Sequence, residues 1–150
     1  MKISDNIKMI DWENENNKAI GLRLLADAKE YWERVEAHIY KGNEIRGDLF
    51  MDFSEKQEEI ATLDRKRTNA HNKMLESFKP FLDLLKTETA FNADEYKLDN
   101  RTQIADFIAS IAFELMGAEP ASRIEGNVRD ELAEKLHNKE FTFEQIEQKL

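Results

Sequence analysis

Three side chains that can do chemistry, Asp64, Arg67 and His71, follow one another at helical spacing. At about 100° per residue they fall on one helix face, together with the apolar Ile60 and Phe78. An imidazole can move a proton near neutral pH, a carboxylate can orient it, and a guanidinium can stabilise a developing negative charge. The trio is therefore the first candidate for a site.

The same trio also suits a structural role. A buried guanidinium cannot shed its proton and needs a partner, and Asp64 and His71 each lie about one turn from Arg67. Such a network fixes helix register in a core or across a dimer interface. We favour this interpretation and assign no catalytic residue, although an enzyme would use Arg67, His71 and Asp64. Binding of a small anionic ligand, held by Arg67 and Arg101, is a third hypothesis.

The other histidines carry weaker patterns. Glu134 and His137 have the Glu-x-x-His spacing of di-iron bundles, but those bundles need two such motifs and the sequence contains one. His38 lies on a charged amphipathic segment and is predicted to be a surface residue. We therefore expect neither a metal site nor a cofactor.

Composition narrows the function classes. The net charge of -9 is spread over the whole chain of 150 residues, and the only tight basic cluster is Arg65, Lys66 and Arg67. Nucleic-acid affinity relies on clustered cations, so direct nucleic-acid binding is disfavoured. The longest apolar run, from Ile104 to Met116, is shorter than the roughly 20 residues that span a bilayer, so we expect no membrane contact. The sequence has no cysteine, which fits a reducing cytoplasm.

Two long helices dominate the predicted organisation. Apolar residues recur at helical spacing from about Asn16 to Tyr40, and Gly42 is the predicted stop. A second helix should begin at Ser54, which forms a capping box with Gln57, and Pro80 should kink or break it. The connection between the helices carries an apolar patch that must pack somewhere: Leu49, Phe50, Met51 and Phe53.

The remaining elements are also helical. Residues 1–15 suggest a short leading helix, and a polar loop covers residues 87–100. Further helices should start at Asn100, at Ser122 and at Thr142, each followed three residues later by Gln or Glu. We therefore predict an all-α fold: one domain over residues 1–150, a bundle of four to five helices built on a long antiparallel pair.

One short motif is similar to that of the HEPN ribonucleases, helical dimers that cut RNA without metal. Arg65 and His71 have the arginine, five residues, histidine spacing of that family. Arg65 lies about 120° around the helix from His71, and the acidity of the chain opposes RNA binding. The ribonuclease alternative that we retain therefore uses Arg67 and His71.

A second resemblance covers roughly residues 55–123. The segments Leu63 to Asn72 and Asp99 to Ile108 resemble a family of small helical proteins from Gram-positive bacteria that is classed as a domain of unknown function. The resemblance implies no activity. It implies that six residues belong to one shared arrangement: Asp64, Arg67, His71, Arg101, Asp106 and Arg123.

Together these patterns favour a non-enzymatic, acidic binding protein that works through protein contacts, as a homodimer. One concrete version is a mobile-element protein that inhibits a host enzyme handling nucleic acid, an anti-defence inhibitor. Pervasive acidity without reactive motifs motivates this hypothesis.

Overall fold

The computed structural model describes residues 2–150, which form an all-helical bundle without a strand. The prediction of an all-α bundle with a long helix pair is confirmed, but residues 2–150 form seven α-helices rather than the predicted four to five. No helix within residues 2–150 combines the length and apolar character needed to span a bilayer. The α-helices are α1 (Ile3–Met9), α2 (Glu15–Glu36), α3 (Gly42–Arg46), α4 (Phe53–Glu88), α5 (Arg101–Leu115), α6 (Asn127–His137) and α7 (Phe143–Gln148).

The long pair is an antiparallel hairpin formed by α2, α3 and α4. Asn17 donates to Glu88 at the base of the hairpin, and Lys73 pairs with Glu30 midway along it. Near the other end, the Lys56 Nζ donates to the Arg46 carbonyl at 2.9 Å. Since partners become closer in sequence along the pair, the hairpin turns at about residue 50.

The first arm of the hairpin runs further than the sequence predicts. Gly42 does not end it: α2 continues through a π-helical turn, Ala37–Lys41, directly into α3. Gly42 is buried in right-handed helical backbone, and a Cβ there would lie 3.6 Å from the Ile60 Cδ1. That distance is an ordinary van der Waals contact, so the packing of α3 on α4 does not require glycine here, and the arm ends at Gly47.

The second arm begins two residues earlier than predicted and does not break. Asp52, rather than Ser54, is the N-cap of α4, and its carboxylate accepts the Glu55 N–H at 2.8 Å. Pro80 lies inside the continuous helix. Proline removes one backbone hydrogen bond there, and buried neighbours on both sides, Phe78 and Phe81, hold the helix in place by packing.

The remaining helices cover the base of the hairpin. The predicted cap at Asn100 is confirmed, since its side chain accepts the Gln103 N–H, and so is the Thr142 and Gln145 capping box. The helix predicted from Ser122 instead begins at Asn127, after Gly126 at a φ of 87°. Residues 122–126 are not helical, and the carboxylate of Asp106 accepts the Gly126 N–H and the Arg129 N–H at the start of the helix.

One cluster of buried apolar side chains extends from Ile3 to Ile146, and α5 contributes more of it than any other short helix. Tyr31, Trp32 and Met74 lie fully buried within it. The outer part of the hairpin differs. Between residues 43 and 69 the only buried side chain is Ile45, so this end projects from the bundle.

Candidate functional site

The predicted trio is divided between two places in the structure. Asp64 and Arg67 lie together, with Arg67 Nη2 at 3.5 Å from Asp64 Oδ1. His71 does not join them, because its imidazole turns toward α5 and its Nε2 lies 3.2 Å from the carbonyl oxygen of Arg101. Two separate polar centres, one turn apart on α4, therefore replace the single predicted site.

His38 completes the first centre, which we name the His38 centre: His38, Asp64 and Arg67. Its Nε2 lies 2.6 Å from Asp64 Oδ1, and its Nδ1 lies 3.3 Å from Arg67 Nη1. A guanidinium only donates hydrogen bonds, so Nδ1 of His38 must accept one from Arg67. The ring proton is therefore on Nε2, which donates a hydrogen bond to the Asp64 carboxylate. Both ring nitrogens are thus occupied in the neutral tautomer.

The prediction that His38 is a surface residue is wrong. His38 lies in the π-helical turn, Ala37–Lys41, which holds more residues per turn than an α-helix and shifts the helical phase. His38 follows the buried Val35 by three residues, so even a regular spacing of about 100° places it on the side of the helix that faces α4. Burial and the neighbouring Arg67 lower the pKa of His38, although Asp64 opposes them.

His71 forms the second centre and is buried, with 8% of its surface exposed. Its ring packs against Tyr31 with the centroids 4.5 Å apart. A carbonyl only accepts, so Nε2 carries the proton donated to Arg101. Burial, first, and then the charges of Arg101, Arg129 and Arg67 lower the pKa of His71 to about 4. The ring is therefore neutral at pH 7 and ties α2, α4 and the start of α5 together.

The other predicted network residues have separate roles. Arg101 contributes its main-chain carbonyl to His71, while the residue itself is exposed. Asp106 lies on α5 and accepts two main-chain N–H groups, from Gly126 at 2.7 Å and from Arg129 at 2.9 Å. It thereby caps α6 and is not connected to the His38 centre. Arg123 lines a broad surface groove beside α5.

The predicted absence of a metal site concerns His137 and the acidic side chains around it. His137 of the predicted Glu-x-x-His pattern stacks on Tyr40, with centroids 3.6 Å apart and planes 8° apart. Within residues 2–150, no three His, Asp or Glu side chains are grouped so that they could hold a metal ion.

A further feature lies at the turn of the hairpin. The sequence predicts that its apolar patch packs against something, but the structure leaves three of its side chains in solvent. Leu49 is 92% exposed, Phe50 99% and Phe53 74%. We call these three residues the apolar tip. The residue types identify the patch as apolar. Its burial depends on whether another element reaches that end of the hairpin, and in residues 2–150 none does.

Comparison with known proteins identifies no relative of this chain: no protein-family model, no curated protein and no solved structure matches it. The resemblance to the family of small helical proteins from Gram-positive bacteria stays a prediction.

Proposed function

We propose that this protein is a non-enzymatic binding protein that acts through protein contacts made by the apolar tip. The observation that carries the proposal is the near-complete exposure of Leu49 and Phe50 at the end of a projecting hairpin. Transfer of a large apolar side chain from water into a partner contributes roughly 1.5–3 kcal/mol. Large apolar side chains grouped on a surface commonly mark such contact sites.

The state of the histidines supports a binding role over a catalytic one. A general base needs a free ring nitrogen within reach of a substrate. His71 is buried against Tyr31 and donates to a main-chain carbonyl, and both ring nitrogens of His38 already have partners. The guanidinium of Arg67, which the ribonuclease and anion-binding alternatives both need, is occupied by the same His38 centre.

The length of the hairpin supports the same proposal. His71 hydrogen-bonds to the start of α5, and about 18 residues, or roughly 27 Å of helix, separate it from Phe53. A tip at this distance can enter a cleft that the rest of the bundle cannot. Insertion into a basic channel of a nucleic-acid-handling host enzyme, as an anti-defence inhibitor, is the concrete version of this function. Homodimerisation, through a surface other than the apolar tip, is a separate part of the proposal and is tested by light scattering after size-exclusion chromatography.

The test is a selection with a random-peptide phage library on the wild-type protein, counter-selected on the Phe50→Ser/Phe53→Ser double variant. Ile124→Ser is the matched control, because Ile124 is also a large exposed apolar residue, 68% exposed, but lies far from the tip in sequence. We expect peptides that bind wild type and the control equally and lose binding to the double variant. Peptides that ignore the tip, or no enriched peptides at all, would contradict the proposal.

A second experiment tests the enzyme alternative directly. Purified protein is incubated with mixed RNA in the presence of EDTA. We expect no cleavage. Metal-independent cleavage that is lost in a folded His71→Gln variant would overturn the proposal in favour of a ribonuclease.

A further inference from the structure

The backbone of the hairpin turn is held by hydrogen bonds. Asp48 Oδ1 accepts the Phe50 N–H at 2.8 Å, and Asp52 Oδ1 accepts the Glu55 N–H at the same distance. The Lys56 ammonium donates a hydrogen bond to the Arg46 carbonyl across the turn. The apolar tip is thus presented on an ordered turn, which reduces the conformational entropy lost on binding.

Acidic side chains surround this turn. Residues 48–59 contain five carboxylates and a single cation, Lys56, and the Lys56 ammonium is already hydrogen-bonded to a main-chain carbonyl. We name the carboxylates the acidic collar: Asp48, Asp52, Glu55, Glu58 and Glu59. The end of the hairpin therefore combines apolar side chains with a net charge of about -4.

The collar is electrostatically strained. Several effects raise the pKa of Glu55. The charge of Asp52 is the largest of them, and the charges of Glu59 and Asp48 make smaller contributions. These carboxylates repel one another, and the ammonium that lies among them in sequence, Lys56, is hydrogen-bonded to a main-chain carbonyl. A cationic surface brought against the collar would relieve this repulsion.

An open groove continues from the collar along the hairpin. It has a volume of about 560 Å³, and its lining combines three carboxylates with two ammonium groups and three uncharged side chains: Glu55, Glu58, Glu59, Lys41, Lys66, Ile45, Thr62 and Leu63. Carboxylates outnumber ammonium groups in this groove by three to two, and apolar side chains lie beside them, as at the tip. One partner surface can engage both regions.

Charge selects the partner. A second copy of the tip would bring two acidic collars together, and like charges in an interface are unfavourable. Nucleic acid and anionic lipid carry the same sign as the collar and are repelled in the same way. A protein surface that offers an apolar pocket and a cationic border satisfies both features.

We propose that the partner presents an apolar groove bordered by Lys and Arg side chains, which receives Phe50 and Phe53 while its cations pair with the acidic collar. This inference rests on the proposed function and specifies the chemistry of the partner. The phenylalanines supply affinity by burial, and the carboxylates select the partner and accelerate its association.

Three synthetic amphipathic helical peptides test the inference. They share one leucine face and carry Lys, Gln or Glu at every polar position, and binding is measured by fluorescence anisotropy at low and high salt. We expect the Lys peptide to bind about tenfold or more tightly than the Gln peptide, with an affinity that falls as salt rises, and the Glu peptide not to bind.

Two variants separate the contributions of the tip and the collar. Phe50→Ser/Phe53→Ser and Glu55→Gln/Glu59→Gln should each weaken Lys-peptide binding by about tenfold. Glu13→Gln/Glu147→Gln is the matched control, because it changes the net charge equally at exposed residues outside the hairpin turn, and we expect it to bind like wild type.

Each outcome decides one claim. Equal binding of the Lys and Gln peptides, or a collar variant indistinguishable from its control, overturns the inference about the partner. Unchanged Lys-peptide binding by the tip variant does so too, because acidity alone would then suffice. If no peptide binds while the phage selection still yields tip-dependent peptides, the partner chemistry is wrong and the proposed function stands. If both experiments fail, the proposed function is wrong as well.

Discussion

The buried imidazole of His71 makes the fold sensitive to acid. Burial and three nearby arginines give it a pKa of about 4, against 6.5 as the ordinary value. A histidine with a lowered pKa contributes stability above its unfolded pKa, and the contribution is lost as the pH falls toward its folded pKa. Between these two pKa values the unfolded chain binds a proton at His71 and the folded chain does not, so acid favours unfolding.

The size of this effect follows from the two pKa values. A folded pKa of about 4 against 6.5 lowers the free energy of unfolding by about 2 kcal/mol between pH 7 and about pH 5. Residual solvent contact of the ring reduces the expected loss to between about 1 and 2 kcal/mol. The lowered pKa of His38 adds a loss of the same sign.

The assay is urea unfolding at pH 7 and at pH 5, followed by the fluorescence of the fully buried Trp32, for wild type and His71→Gln. The glutamine amide can still donate to the Arg101 carbonyl but does not titrate. We expect the variant to be less stable than wild type at pH 7, because it loses the contact with Tyr31, and to lose less stability at pH 5. The pH-dependent contributions of all other groups, His38 included, are the same in both proteins and cancel when the two losses of stability are compared. Equal losses in both proteins would refute the buried neutral state.

Other substitutions test the fold and the tip, all by urea or thermal unfolding. Asp106→Asn should destabilise the protein by about 2 kcal/mol, because an amide cannot accept both main-chain N–H groups; an unchanged midpoint would contradict the cap on α6. Gly126→Ala should cost about 1 kcal/mol, because its φ is 87°, and a neutral result would argue against that conformation. Pro80→Ala should leave stability unchanged or raise it if the helix is continuous, and a loss would indicate a kink that needs proline. Phe50→Ser should leave the unfolding midpoint within about 0.5 kcal/mol of wild type, whereas a large loss would mean that Phe50 is buried.

The candidate site was only partly predictable from the sequence. Helical spacing correctly brings Asp64 to Arg67, because two residues three apart in a regular helix always lie on adjacent turns. The same spacing places His71 on that face, but its hydrogen bond goes to α5, and α5 is 30 residues further along the chain. The role of His38 was missed because its partners, Asp64 and Arg67, lie on another helix, 26 and 29 residues further along the chain.

The sequence by itself determined the helical class, the long hairpin and the caps at Asn100 and Thr142, because periodicity and capping are local properties of the chain. Only the tertiary structure decided which polar groups pair, which side chains are sealed from water and which are left exposed. His71 is neutral because distant helices bury it, and Phe50 is exposed because none of the described helices reaches the end of the hairpin. Both outcomes depend on contacts between residues far apart in sequence, which no local pattern encodes.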